Sequence, residues 1–93
     1  MNKSELIEAL AEATNIPVQE AASITNTIIE TMSDALARGE SIEIRGFGSF
    51  VVKEYDSYTG RNPKTGEKIK VKPKKLPFFK VGKDLRERVN KMS

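Results

Sequence analysis

Apolar residues recur at three- and four-residue steps in the first part of the chain and at alternate positions after Glu40. That change of period predicts helices followed by strands. Leu6, Ile7, Leu10, Ala11 and Ala13 mark one face of a first helix reaching about Ala13, and Asn2 with Glu5 opens it in capping-box spacing. Asn15-Ile16-Pro17 interrupts the pattern. Pro17 suits the first turn of a second helix, where its missing N–H costs nothing. Ala21, Ile24, Ile28, Met32, Ala35 and Leu36 form the stripe of that helix, Arg38 falls in its last turn and Gly39 ends it. Ser41-Ile42-Glu43-Ile44 alternates, Arg45-Gly46 turns, and Phe47 to Val52 continues as a strand. Leu76 to Val81 predicts a strand returning to the body, and Gly82-Lys83-Asp84 opens a short last helix with Leu85 and Val89 facing inward.

Between these strands lies a ribbon. Its outgoing limb, Lys53 to Thr59, is mixed, while Lys68-Ile69-Lys70-Val71-Lys72 alternates basic and apolar and gives one wholly cationic face. Gly60-Arg61-Asn62-Pro63-Lys64-Thr65-Gly66 joins the limbs in a rigid turn. The order ααβββα, with the arm between the last two strands, is an α+β arrangement. Ten residue steps from Lys53 to Pro63 give a reach of about 34 Å at ~3.4 Å per residue, comparable with one turn of B-DNA.

Charge is sorted along the chain. Residues 1–44 hold two bases and eight acids; residues 45–93 hold fourteen bases and five acids. Nine bases and a single acid, Glu67, fall between Arg61 and Lys83. Such a division points to a polyanionic partner for the basic half. The acids Glu5, Glu8, Glu12, Glu20, Glu30 and Asp34 fall largely off the apolar stripes and read as solvated helix faces. With no Cys and no His, disulfides, thiolate chemistry and the usual zinc sites are excluded. Nothing suggests an enzyme: there is no Walker-type glycine loop and no carboxylate cluster in a plausible cleft. No cofactor, metal, small-molecule substrate or membrane is expected. Ninety-three residues make one domain at most. With a long basic segment unsuited to core building, a second subunit is the expected source of missing core.

Three blocks carry a family resemblance: Ile42 to Phe50, Thr59 to Gly66, and Pro77 to Lys83. Together they resemble the bacterial HU and integration host factor DNA-bending proteins over essentially the whole chain. Arg45 in its Arg-Gly-Phe-Gly block is similar to the beta subunit of integration host factor. The resemblance implies an intertwined dimer, homodimeric or paired with a paralogue. Each subunit would supply a helical base, a three-stranded antiparallel sheet and a long β-ribbon arm. The expected partner is double-stranded DNA held along its minor groove, in the cytoplasm, on the bacterial nucleoid. Pro63 maps onto the residue that wedges between base pairs. Phe47, Phe50 and Phe79 match the dimer core, to which Ile28, Met32 and Leu36 of the second helix are assigned. The single domain 1–93 then divides into a helical dimerisation part (1–39), a sheet (40–52 and 76–81), a DNA-binding arm (53–75) and a C-terminal helix (82–91).

The residues support these roles on their own chemistry. Pro63 is flat, rigid and has no amide N–H to desolvate, and apolar residues, Pro among them, serve as minor-groove wedges; alone, Asn62-Pro63 is equally a turn former. Arg61 and Asn62 can read groove width and A·T acceptors. Lys68, Lys70 and Lys72 are candidates for phosphate neutralisation, with Lys53, Lys64, Lys75 and Lys80 as further cations. Gly82 and Lys83 offer amides and a cation at a helix start, and Lys3 repeats the idea more weakly at the first helix. Arg45 is either a surface turn residue or a groove reader. Family members often carry Arg where Tyr55 and Tyr58 stand, and Asp56 adds a negative charge. The two tyrosines pack over sugars, bond phosphates through their hydroxyls, or face each other across the ribbon. An RNA or general polyanion binder would use the same lysines without needing a proline wedge.

Overall fold

The computed structural model describes residues 1–92. The chain forms two compact units, Met1–Ala35 and the residues from Leu36 onward. In the first unit, α1 spans Lys3–Thr14 and α2, which starts there, spans Val18–Ala37. Asn2 caps α1 by accepting the Glu5 N–H at 2.8 Å. Asn15 ends it in the left-handed region (φ 54°), with the Ile16 N–H donating to the Ala11 carbonyl at 3.1 Å. Pro17 stands just ahead of α2, and its carbonyl accepts the Ala21 N–H. The buried positions here are small, Ala11, Ala21 and Thr25. An apolar groove lined by Leu6, Leu10, Thr25, Ile28 and Ile29 stays open between the helices.

The second unit contains β1 (Ile42–Ile44), β2 (Gly48–Tyr55), β3 (Tyr58–Arg61), β4 (Lys68–Val71), β5 (Lys74–Val81) and α3 (Lys83–Met92). Strands β1-β2-β5 make a three-stranded antiparallel sheet, and β3 pairs with β4 in a separate two-stranded ladder. The α+β architecture with a ribbon arm is present. Arg38 lies beyond the end of α2, not within it, and pairs with Glu40 at 2.7 Å.

The ribbon differs from the expected pair of continuous limbs. Strand β2 runs on through Tyr55 and β5 begins at Lys74, so the sheet takes in the foot of the arm. Asp56-Ser57 and Lys72-Pro73 then interrupt the pairing before β3 and β4 resume it. Pro73 has no N–H to give the β3–β4 ladder, which stops at Val71. Pro77, by contrast, sits inside β5 opposite Val52. The Gly82 N–H donates to the Phe47 carbonyl at 2.8 Å, so odd-numbered residues of β2 are those bonded to β5. Val52 and Pro77 are therefore a non-bonded pair, and the missing N–H of Pro77 faces the open edge.

Phe47, Phe50 and Phe79 cluster on this sheet, with ring centroids 5.4 Å (Phe47–Phe79) and 4.9 Å (Phe50–Phe79) apart. Gly48 lies beneath them, where a Cβ would come within 2.6 Å of the Phe79 ring and 2.5 Å of the Lys80 carbonyl oxygen. Helix α3 is docked by its first turn through Leu85, whose N–H donates to the Gly46 carbonyl. Val89, expected to face inward, is 59% exposed in the single chain, one turn beyond Leu85.

Candidate nucleic-acid interface

The tip of the arm is a closed, hydrogen-bonded turn. The Asn62 N–H donates to the Glu67 carbonyl at 2.8 Å, and the Gly66 N–H donates to the Asn62 carbonyl at 2.7 Å. Asn62 thus opposes both Gly66 and Glu67, the pattern of a β-bulge whose first residue, Gly66, takes a positive φ of 74°. The Asn62 side chain adds a third bond, its Oδ1 accepting the Lys64 N–H at 2.9 Å. Pro63 stands exposed at the apex. A proline fits there because none of these bonds needs an N–H at position 63. Asn62 itself is half-buried with its Oδ1 engaged in the turn, so only its amide NH2 is left to read a groove. Arg61 and Lys64, on either side of this pair, are exposed.

Below the tip, Arg61 pairs with Lys68 and Thr59 with Lys70. Directly paired residues share a face, so Arg61, Lys68 and Lys70 form one cationic patch. Lys72, expected on the same face, lies outside β4 in the interruption beside Pro73. The other face of this ladder carries Tyr58 opposite Val71 and Gly60 opposite Ile69. In the sheet, one face carries Lys53, Tyr55, Lys74, Phe78 and Lys80 in register, with Glu43 at the β1 edge. Lys75 is on the opposite face, where its Nζ lies 3.5 Å from Glu54 in an exposed, solvent-screened ion pair. Lys74, not among the cations singled out from the sequence, pairs with Tyr55 on the face that carries Lys53.

The two ladders share one register yet differ in hydrogen-bond phase. Odd-numbered residues bond across β2 and β5, as the Gly82–Phe47 bond shows, whereas the even-numbered Asn62 bonds at the tip of β3 and β4. Side-chain direction is tied to this phase, so odd–even alternation does not carry through the break at Pro73. Tyr55 and Tyr58 stand on the same limb and are not cross-strand partners; those partners are Lys74 and Val71. Simple alternation from Lys53 to Lys75 could not have revealed this, although Pro73 was a visible signal for a break.

The start of α3 is less open than its sequence suggested. The Gly82 amide is taken by Phe47, and the Leu85 amide by Gly46. Gly82 is needed for close approach, since a Cβ there would meet the Phe47 backbone at 3.1 Å. Lys83 remains exposed at the helix start. Arg45 lines a groove with Asp84, Leu85 and Arg88, and Arg88 is a cation that the sequence pattern did not single out. Lys3 is exposed at the first residue of α1, in the helical unit.

A sequence profile of the family described as bacterial DNA-binding protein matches residues 1–90. The chain belongs to the bacterial DNA-binding protein family. A curated relative, integration host factor subunit beta of Histophilus somni (strain 2336), is 53% identical over 91 residues, covering 97% of each chain. Among solved structures, a co-crystal of Anabaena HU with DNA superposes with a TM-score of 0.86 at 38% identity, covering 96% of this chain and 97% of that one. The V42I mutant of HU from Thermotoga maritima gives 0.71 at 38% identity, covering 96% and 99%. As a family member, this chain carries the α+β fold with its β-arm, and among its described residues no helix is long and apolar enough to cross a membrane.

Proposed function

We propose that the chain is one subunit of a dimeric, architectural double-stranded DNA-binding protein that bends DNA. Its arm follows the minor groove, Pro63 enters between base pairs, and sequence is read weakly. The observation that carries this reading is the tip: an exposed, donor-free proline on a turn closed by three hydrogen bonds at Asn62, directly beyond the Arg61, Lys68 and Lys70 patch. Minor-groove benders commonly use apolar wedges of this kind, with a few kcal/mol of unstacking offset by fuller wrapping. Lys53, Lys74 and Lys80 give the sheet a cationic face of its own, and Lys83 is exposed at the start of α3; phosphate neutralisation at such positions supplies affinity without sequence information.

Dimerisation is supported by what one chain leaves uncovered. Among the described residues no large side chain is fully buried, and Phe47, Phe79 and Ile28 are 45%, 42% and 53% exposed. Half-buried Met32 in the helical unit and half-buried Leu36 and Phe50 in the second unit are further apolar positions assigned to a partner subunit. A paralogue is favoured over an identical chain by one observation, the 53% identity to a protein named as the beta subunit of integration host factor. Action by binding alone, without an enzymatic step, and residence on the bacterial nucleoid belong to the same proposal.

A duplex labelled at both ends tests the reading. Added protein should raise energy transfer between the ends, and a minor-groove ligand should compete with it. Tight binding with unchanged end-to-end distance would overturn the bending role, and equal affinity for structured RNA would favour a general polyanion binder.

A further inference from the structure

Phe78 has no part in the core cluster. It lies on the sheet face opposite Phe50 and Phe79, paired with Val51, and is 37% exposed. On that face the Lys53 ammonium sits 4.2 Å from the Phe78 ring centroid. Lys53 is paired with Leu76, so Phe78 is its diagonal neighbour, within reach of a long side chain. One step up the same face, the Lys74 ammonium lies 5.8 Å from the Tyr55 ring centroid. Both distances fall within the ~6 Å at which a ring face attracts a cation.

We propose that Phe78 is a positioning residue that seats Lys53 for contact with a DNA phosphate, with Tyr55 doing the same for Lys74. The contrast with Lys75 on the other face gives the reason. A carboxylate partner, as Glu54 is for Lys75, brings a negative charge that repels phosphate. An aromatic ring brings none and leaves the ammonium donors free for phosphate oxygens. A free lysine gives up considerable rotamer freedom when it is fixed at an interface. A seat that fixes it beforehand reduces that loss. The proposal rests on the DNA-binding reading of this face, but the seat itself exists without DNA and is measurable alone.

The experiment has two arms. In the free protein, the Lys53 ε-methylene proton resonances should be shifted upfield by the Phe78 ring, and Phe78→Leu should remove the shift while Phe78→Tyr keeps it. On duplex DNA, Phe78→Leu should weaken binding about two- to fivefold per subunit. The slope of log affinity against log salt should stay unchanged, because every charge is retained. Lys53→Met should lower that slope by about 0.9 per subunit, and adding Phe78→Leu to it should cost nothing more. Phe78→Tyr, which keeps the ring and the fold, should bind like the parent. An unshifted Lys53 resonance would overturn the seat, as would a Phe78→Leu penalty that persists in the Lys53→Met background. A salt slope untouched by Lys53→Met would instead overturn the assignment of this face to DNA, leaving the ring shift intact.

Discussion

At the level of single residues, the neighbours of each lysine decide how strongly it would draw a phosphate. Lys70 lies beside the Arg61–Lys68 pair, whereas Lys75 has the Glu54 carboxylate 3.5 Å away. Lys70→Ala should therefore lower the salt slope by about 0.9 for each phosphate that Lys70 neutralises, and Lys75→Ala should change it much less. Equal effects in salt titrations would undo the face assignment. Gly48 makes a second residue-level test, of packing. Gly48→Ala would drive a Cβ to within 2.5 Å of the Lys80 carbonyl oxygen. It should destabilise the chain by about 1–3 kcal/mol in urea unfolding. These positions also mark the limits of sequence reading. The Asn2 cap and the glycine turns were legible because their chemistry is local. The pairing of Lys75 with Glu54 was not, because it depends on register between strands far apart in the chain.

At the level of elements, the arm is two ladders joined by an unpaired step at Asp56-Ser57 and Lys72-Pro73. An isolated two-stranded ribbon is marginally stable in water, and β3 and β4 gain little support through this joint. Amides of β3 and β4 should therefore exchange with solvent faster than those of Val51 and Val52 in the sheet, a difference that hydrogen exchange in the free protein would measure. DNA binding should slow the arm amides most. Uniform protection along the arm would show that the joint is closed in solution. The change of hydrophobic period at Glu40 announced the elements themselves. The shift in hydrogen-bond phase was hidden, because alternating residues look the same in either phase.

For the whole molecule, the fold was legible from three sequence blocks, and the open question is how two such chains act on DNA. With Phe47 and Phe79 both more than 40% exposed in one chain, unfolding should depend on protein concentration. If Phe79 is buried between subunits, Phe79→Ala should cost about 3–5 kcal/mol, measured as a loss of folded dimer without a stable monomer. The central claim, that Pro63 is a wedge, is tested most directly by the bend angle of intact duplex bound to Pro63→Ala, read by energy transfer between end labels. The substitution keeps every cation and the bonds at Asn62, so phosphate attraction survives while the rigid ring is gone. The bend should fall clearly below that of the parent protein, with a smaller drop in affinity on nicked duplex, where part of the unstacking has already occurred. An unchanged bend, with equal drops in affinity on nicked and intact DNA, would contradict the wedge and leave Pro63 as a turn residue.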